Sequence, residues 1–351
     1  MTPLSDIRPI IAITMGDPAG IGPEIAVKAM AERSIHNDAR MMVIGNSAIL
    51  KEAVAQTGLA LSVRPVTEPE EAGFDPQMIN VVDLPLRSEA VIKSGEISAE
   101  AGDMAFRAIH EAIDLAMEKR IDAIVTGPIN KEALNLAGHH FSGHTEIFAH
   151  FTGTTKYAMM LAEDNFRVIH VSTHVSLRKA CDLVKKERVL DVIGLMEDAL
   201  RRIGIENPRI GVAGLNPHSG DGGLFGEEEI LEIVPAIEEA RKKGWDAVGP
   251  VPPDTLFAMA RGGHFDGCVA MYHDQGHIPF KVLGFEWDEK AGRMKSVRGV
   301  NISLGLPIVR TSVDHGTAFE IAGKGIASPD AMMNAIDYAV KMLSSKTRIN
   351  G

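Results

Sequence analysis

An α/β fold of two interleaved domains with mostly parallel sheets is what this 351-residue sequence predicts. Short β-rich apolar runs alternate with amphipathic helical patterns along the chain, the signature of strand–helix–strand units. The length accommodates two α/β domains or one large one. No linker-like stretch divides the chain, which favours interleaving over two domains in tandem.

The first strand reads as IIAIT (10–14), followed by a helix at GPEIAVKAMAE with Pro23 in its first turn. MMVI (41–44) is the next strand. AEAGDMAFRAIHEAIDLAMEK sets Phe106, Ile109, Ile113 and Met117 at three- and four-residue spacing, an amphipathic helix leading into IDAIVT (121–126). In TGPINKEAL (126–134), Asn130 is placed to cap a short helix that Gly138 ends. FRVIHVST (166–173), RIGVAGL (209–215) and DGCVAMY (266–272) read as later strands. Between the last two, GEEEILEIVPAIEEARKKG is a helix, acidic at its start and basic at its end as the dipole favours.

Composition narrows the function. Hydrophobic residues make up 45%, charged residues 24% and aromatics 5%, the profile of a soluble globular protein with an aliphatic core. A net charge of −11 speaks against nucleic acid, whose phosphates require clustered positive charge. No apolar run reaches the roughly 20 residues that span a bilayer, so no membrane partner is expected. The N-terminus lacks a basic region and a cleavage site, and a cytoplasmic location is expected. Cys181 and Cys268 have no paired spacing and read as buried free thiols in a reducing compartment.

Thirteen histidines are present. His36, His110, His150 and His264 read as surface residues. His174, His218 and His273 each closely follow a strand, where ligands of open α/β sheets bind. Any one alone reads better as a plain loop histidine; the shared placement favours a metal site. AMYHDQGHIPFK (270–281) also places His277 four residues after His273, the spacing of a helical zinc pair. Gly276, Pro279 and the preceding β-run argue for a turn rather than a helix there. The glutamate of a metalloprotease is also missing, so that class is excluded. His277 is expected to serve the loop or lie near a cofactor.

GLNPHSGDGGLFGEEE is rich in glycine, which suits either close ligand approach or simple turns. His144 and Thr145 in SGHTE offer hydrogen-bond donors, and Lys281, Asn301 and Arg310 suit a phosphate or carboxylate. Neither a G-x-G-x-x-G run after the first strand nor a P-loop sequence is present.

Two segments resemble the isocitrate and isopropylmalate dehydrogenases. GDPAGIGPE (16–24) is similar to their GDGIGPE, lengthened by two residues. HGTAFEIAGKGIASP (315–329) is similar to their HGSAPDIAGKGIANP loop, which holds the adenosine end of NAD. A longer series resembles the 4-hydroxythreonine-4-phosphate dehydrogenase family of pyridoxal phosphate biosynthesis. It comprises ITMGDPAGIGPEI, TGPINKEAL, GHTE, STHVSLR, GLNPHSGDGG, GPVPPDT, MYHDQGHIPFK and GVNISLGLPIVRTSVDHGTA. The resemblance implies an isocitrate/isopropylmalate dehydrogenase-like fold with the active site in the interdomain cleft. Residues 1–136 with 317–351 would form the cofactor domain, and 137–316 the domain carrying metal, substrate and dimer interface.

The same resemblance implies a divalent metal (Zn, Co, Mn or Mg) on His174, His218 and His273, with the site shared across a homodimer. Substrate positions are His144, Thr145, Lys281, Asn301 and Arg310. Asp254 matches an acidic residue near that site, and Lys281 and Asp254 are the candidates for proton transfer. NAD, in preference to NADP, would be held at Gly16, Asp17, Gly20, His315, Gly316 and Thr317.

Within the family, GGLFG with Leu224 replaces the GGHMG of the vitamin B6 branch. KEALNLAGHHFSGHTE, STHVSLRK, GLFGEEE and YHDQGHIPFK are more similar to the paralogous branch that oxidises D-threonate or D-erythronate 4-phosphate. EWDEKAGRMKSVR (286–298) reads as an insertion of about ten residues relative to that family. A phosphotransacetylase-like acyltransferase, a non-catalytic phosphometabolite binder and a metal-dependent phosphatase are the alternatives from other classes.

Overall fold

A computed structural model describes residues 6–88, 91–284, 287–289, 293–294 and 298–348. The strands of the first half are β1 (Ile10–Thr14), β2 (Arg40–Gly45), β3 (Ser62–Val66), β4 (Met78–Asp83), β5 (Ala123–Thr126), β6 (Ala158–Glu163) and β7 (Phe166–His170). Those of the second are β8 (Arg209–Ala213), β9 (Asp246–Val251), β10 (Gly267–Ala270), β11 (Trp287–Asp288), β12 (Arg293–Met294), β13 (Val300–Leu304) and β14 (Val309–Val313). The helices through β7 are α1 (Gly22–Ala31), α2 (Ile35–Asp38), α3 (Ser47–Thr57), α4 (Ala99–Met117), α5 (Lys131–Leu136) and α6 (His144–Phe151). After it come α7 (Leu177–Leu183), α8 (Lys186–Arg202), α9 (Val234–Lys242), α10 (Pro253–Arg261), α11 (His273–Gly284) and α12 (Asp330–Arg348).

The chain forms two units, and it leaves the first and returns to it. Unit 1 comprises Met1–Thr154 and Leu306–Leu343; unit 2 is built on Thr155–Gly305. His174, His218 and His273 fall in unit 2 by this division, whereas His144, Thr145 and Arg310 fall in unit 1.

In unit 1 the strands run β3-β4-β2-β1-β5-β14, every neighbouring pair parallel. The chain passes from β1 to one side and later returns on the other at β5, so the switch point of the sheet lies between them. Asn46 caps α3 by accepting from the amides of Ala48 and Ile49, and Gly58 closes it with φ of 66°. Ser98 and Asn130 cap α4 and α5 in the same way. The apolar face of α4 (Ala108, Ile109, Ala112, Ile113, Ala116) is buried with Ala12, Met42 and Ile124 of the sheet. His36 corrects the surface expectation: it is 7% exposed, and its Nε2 donates to the Met30 carbonyl at 2.9 Å. The short α2 turns Ile35 and His36 inward together.

Unit 2 is mixed. β13, β6 and β7 are antiparallel neighbours, and β7-β10-β8-β9 continue in parallel. Its core gathers Leu161, Val168, Cys268 and Phe280 with Leu256 and Phe265. Cys268 is buried, which pushes its thiol up, whereas Cys181 is only partly buried. The predicted helix after the glycine-rich loop begins as a π-turn at Glu229–Ile233 and continues as α9. Within 286–298, β11 and β12 pair antiparallel; Glu286, Lys290, Ala291, Gly292 and residues 295–297 lie outside the described residues.

One local expectation is overturned. Residues 273–277 are not a turn but the first turns of α11, which runs through Gly276 and Pro279. Glycine and proline disfavour a helix by about 1 and 3 kcal/mol, and tertiary contacts outweigh them. A Cβ on Gly276 would come within 2.4 Å of His170 Nε2 and 2.8 Å of Val168 Cγ1, so only glycine lets the helix lie this close to β7. The Gln275 side chain pins the helix start, accepting from Met271 N at 2.6 Å and donating to the Gly214 carbonyl at 2.7 Å.

Candidate active site

Parallel strands lie about 4.8 Å apart, so residues following the carboxyl ends of β7, β10 and β8 are delivered side by side. His174 and His273 line one cavity of ≈390 Å³ together with Thr173, Ser176, Tyr272 and Asp274. Their ring centroids are 5.8 Å apart. His218 lies on the exposed loop Pro217–Gly223, where His218 through Gly222 all have positive φ. Among the described residues no three His, Cys, Asp or Glu side chains gather as a metal site requires. The fold thus brings His174 and His273 together and leaves His218 outside that pair.

The pair suits a divalent ion in donor chemistry. His273 Nδ1 donates to Asp274 Oδ1 at 2.7 Å, leaving Nε2 with its lone pair. A carboxylate on the remote nitrogen is how metal-binding histidines are commonly oriented. The loop carrying His218 is held from below. Glu229, 2% exposed, accepts from Leu215 N and Asn216 N at 2.7 and 2.8 Å and from Asn216 Nδ2 at 2.9 Å. The π-turn points Glu229 back at the loop. Its signal was the acid run after FG, read only as a helix start.

His277 is one helical turn from His273, and their rings stack at 3.6 Å with an 11° interplanar angle. His170, unnoticed in the apolar run FRVIH, lies behind them 1% exposed. Burial pushes its imidazole down to about 3 and that of His277 to about 4, so both are neutral. Lys281 is on the same helix, eight residues from His273 and therefore about 12 Å along its axis. Asp254, in the first turn of α10, lines an adjoining groove of ≈610 Å³ with Tyr272, Asp274 and Gln275. Asn301 on β13 is partly buried, its Nδ2 2.9 Å from Met159 Sδ.

Unit 1 carries a separate polar cluster. Arg310, second residue of β14, is 2% exposed; a terminal guanidinium nitrogen donates to Thr126 Oγ1 at 2.6 Å, and its Cζ lies 5.5 Å from the Phe148 ring centroid. Burial pulls its pKa down to about 9, with Glu146 opposing, and it remains cationic at neutral pH. His144 opens α6. Burial first, then the charge of Arg310, pushes its imidazole well below the usual range, so it is neutral. Its Nε2 is buried without a hydrogen-bond partner among the described residues. A buried cation, a neutral imidazole and the first amides of a helix, with Thr145 next in line, form a site suited to an anion.

The residues assigned to the cofactor also meet. Ile21 N donates to the Thr317 carbonyl at 3.0 Å, and a Cβ on Gly20 would come 2.9 Å from Thr317. Asp17 N and Gly127 N tie the loop after β1 to the loop after β5, at the switch point. His315 Nδ1 donates to the Gly316 carbonyl at 3.0 Å, and open space beside Gly316 leaves that backbone approachable.

Asp17 is fully buried; its Oδ1 accepts from Ala19 N at 2.8 Å, while Oδ2 has no partner among the described residues. Burial raises its pKa from 3.8 to about 6. The folded state therefore holds this proton more tightly than the unfolded chain, and the stabilisation, full below pH 3.8, is lost as pH rises through 6. Denaturant unfolding of Asp17→Asn should show its stability relative to the parent improving by on the order of 2 kcal/mol between pH 4 and pH 7. A constant difference across that window would place the carboxylate in water.

Comparison with known proteins places the chain in a family. The family model "Pyridoxal phosphate biosynthetic protein PdxA" matches residues 37–339. The D-threonate 4-phosphate dehydrogenase of Salmonella typhimurium is 49% identical over 334 residues, covering 95% of this chain and 98% of that protein. The 4-hydroxythreonine-4-phosphate dehydrogenase of Desulfosudis oleivorans is 47% identical, covering 95% and 96%. The crystal structure of 4-hydroxythreonine-4-phosphate dehydrogenase from Klebsiella pneumoniae superposes with a TM-score of 0.82 at 46% identity, covering 96% of this chain and all of that one. With the family model matched over most of its length, the chain belongs to the family of the pyridoxal phosphate biosynthetic protein PdxA.

Proposed function

We propose that this enzyme carries out the metal- and NAD-dependent oxidative decarboxylation of a four-carbon, 4-phosphorylated 3-hydroxy acid. The substrate we infer is D-threonate or D-erythronate 4-phosphate, giving dihydroxyacetone phosphate and CO2. The observation that carries this reading is the pairing of His174 with His273 in one cavity, oriented by Asp274. A phosphometabolite binder or an acyltransferase has no use for such a pair.

His174, His218 and His273 would hold the divalent ion, zinc or cobalt suiting imidazole better than magnesium. When bound there, the ion would supply Lewis acidity at the substrate hydroxyl, and NAD would be the hydride acceptor. Arg310, His144 and Thr145 bind the phosphate or carboxylate, with Asn301 as a further polar contact. Lys281 and Asp254 are the groups offered for moving protons. Gly16, Asp17, Gly20, His315, Gly316 and Thr317 are assigned to the dinucleotide.

The working form is a homodimer sharing the metal site. Unit 2 exposes apolar side chains beside its histidines: Leu177 is 63% exposed, Leu224 74%, Ile278 60% and Val282 73%. Patches of this kind mark association surfaces. Among the described residues no helix is long and apolar enough to cross a membrane, and we infer a cytoplasmic enzyme.

The competing substrate, 4-phosphohydroxythreonine, differs at carbon 2, an amine in place of a hydroxyl. An NADH assay comparing it with D-threonate and D-erythronate 4-phosphates decides between them. Turnover of one or both four-carbon acid phosphates, at a kcat/KM well above that of the amine, is expected. Turnover of the amine alone would assign the chain to vitamin B6 biosynthesis.

A further inference from the structure

His170 closes β7 inside unit 2, and the chemistry proposed above does not use it. A buried imidazole must have its nitrogens satisfied, and here the partners dictate its tautomer. His170 Nδ1 lies 3.3 Å from the Met159 carbonyl, which can only accept. Nδ1 therefore carries the hydrogen, and Nε2 of the neutral ring is an acceptor. His277 Nδ1 sits 3.1 Å from that Nε2 and 3.1 Å from the His273 carbonyl. Both are acceptors, so His277 donates from Nδ1. One carbonyl on β6 thus fixes the tautomers of two rings in series. Gly276 leaves the space that the His170 ring occupies.

The stacking then separates two roles. An imidazole lone pair lies in its ring plane. The planes of His273 and His277 are 11° from parallel with centroids 3.6 Å apart, so no point near the rings lies in both. One ion cannot be in line with both lone pairs. His277 is therefore not a second ligand from α11 but a flat wall against which His273 rests, while Asp274 holds the opposite nitrogen.

We propose that His170 and His277 form a positioning pair that fixes the ring plane of His273 for a divalent cation and keeps α11 from offering two imidazoles to it. This rests on the metal reading above. It assigns a purpose to the local His-x-x-x-His spacing that is distinct from ligation.

The test is cobalt(II) titration of the full chain against a chromophoric chelator, with the visible ligand-field spectrum recorded. His277→Leu is expected to weaken cobalt binding by about 10- to 100-fold and to alter the spectrum, as loss of an orienting partner does. The metal-free protein should keep its circular dichroism and melting temperature. His170→Gln, whose amide oxygen can take the place of Nε2 as acceptor, should stay within about threefold of the parent. His277→Ala is read in the same way should leucine prevent folding. If His277→Leu binds cobalt with parental affinity and spectrum while His273→Ala does not, the positioning pair is wrong and the metal reading stands. If His273→Ala also binds as the parent does, the metal reading fails and takes the proposal with it.

Discussion

Replacing His218 with alanine is expected to abolish tight binding of the divalent ion and to lower NADH production by about a thousandfold, since a Lewis acid supplies several kcal/mol to the transition state and each 1.4 kcal/mol is tenfold. Nothing in its surroundings would suggest so large an effect. His218 is exposed, on a loop of left-handed residues, and outside the cavity shared by His174 and His273. Two imidazoles with open positions hold a divalent ion weakly; a catalytic zinc site takes three protein ligands. A shared site makes a further prediction that simple ligand loss does not. If one histidine comes from the partner subunit, variants at His174, His218 and His273 can be mixed in pairs. By two-fold symmetry, two of the three mixtures should regain about a quarter of parental activity, because half the dimers are hybrids and each hybrid has one intact site. The third mixture, whose lesions fall in the same half-site, regains none. Full metal content and full activity in His218→Ala would remove the three-histidine site; no recovery in any mixture would confine it to one chain.

Much of this was legible in the sequence, for a physical reason. β1, β5, β7, β8 and β10 are short apolar runs buried on both faces, and parallel packing makes such runs stand out. Because ligands bind past the carboxyl ends of those strands, His174 and His273 could be paired from position alone. β13 and β14 were not picked out as strands: VNISL and VRTSV place Asn301, Arg310, Thr311 and Ser312 where apolar residues normally signal a strand. α11 was misread because its cost is local and its compensation is not. Gly276 and Pro279 are visible in ten residues, whereas His170, which the glycine accommodates, is 107 positions from His277. The same distance in sequence hid the positioning pair. What periodicity reads well is which face is buried; which polar group is buried against which other depends on contacts far apart in the chain.

Arg310→Met should lower kcat/KM for the phosphorylated substrate by about 30- to 5,000-fold, the range expected when a desolvated ionic contact worth 2–5 kcal/mol is lost. A guanidinium 2% exposed has given up most of its hydration, and burial already weakens its hold on the proton. Thr126 Oγ1, the Phe148 ring and the charge of Glu146 are among the groups that face it. A buried cation beside a neutral His144 and a helix N-terminus is the arrangement proposed above to take an anion. Arg310→Lys should also fail, because an ammonium lacks the planar fork that grips phosphate or carboxylate at two points. Assaying unphosphorylated D-threonate locates the contact: if Arg310 takes the phosphate, the methionine variant and the parent turn this poor substrate over equally, and if it takes the carboxylate the deficit persists. Kinetics within about threefold of the parent, combined with a lower melting temperature, would make Arg310 a structural clamp on Thr126 and remove it from the substrate site.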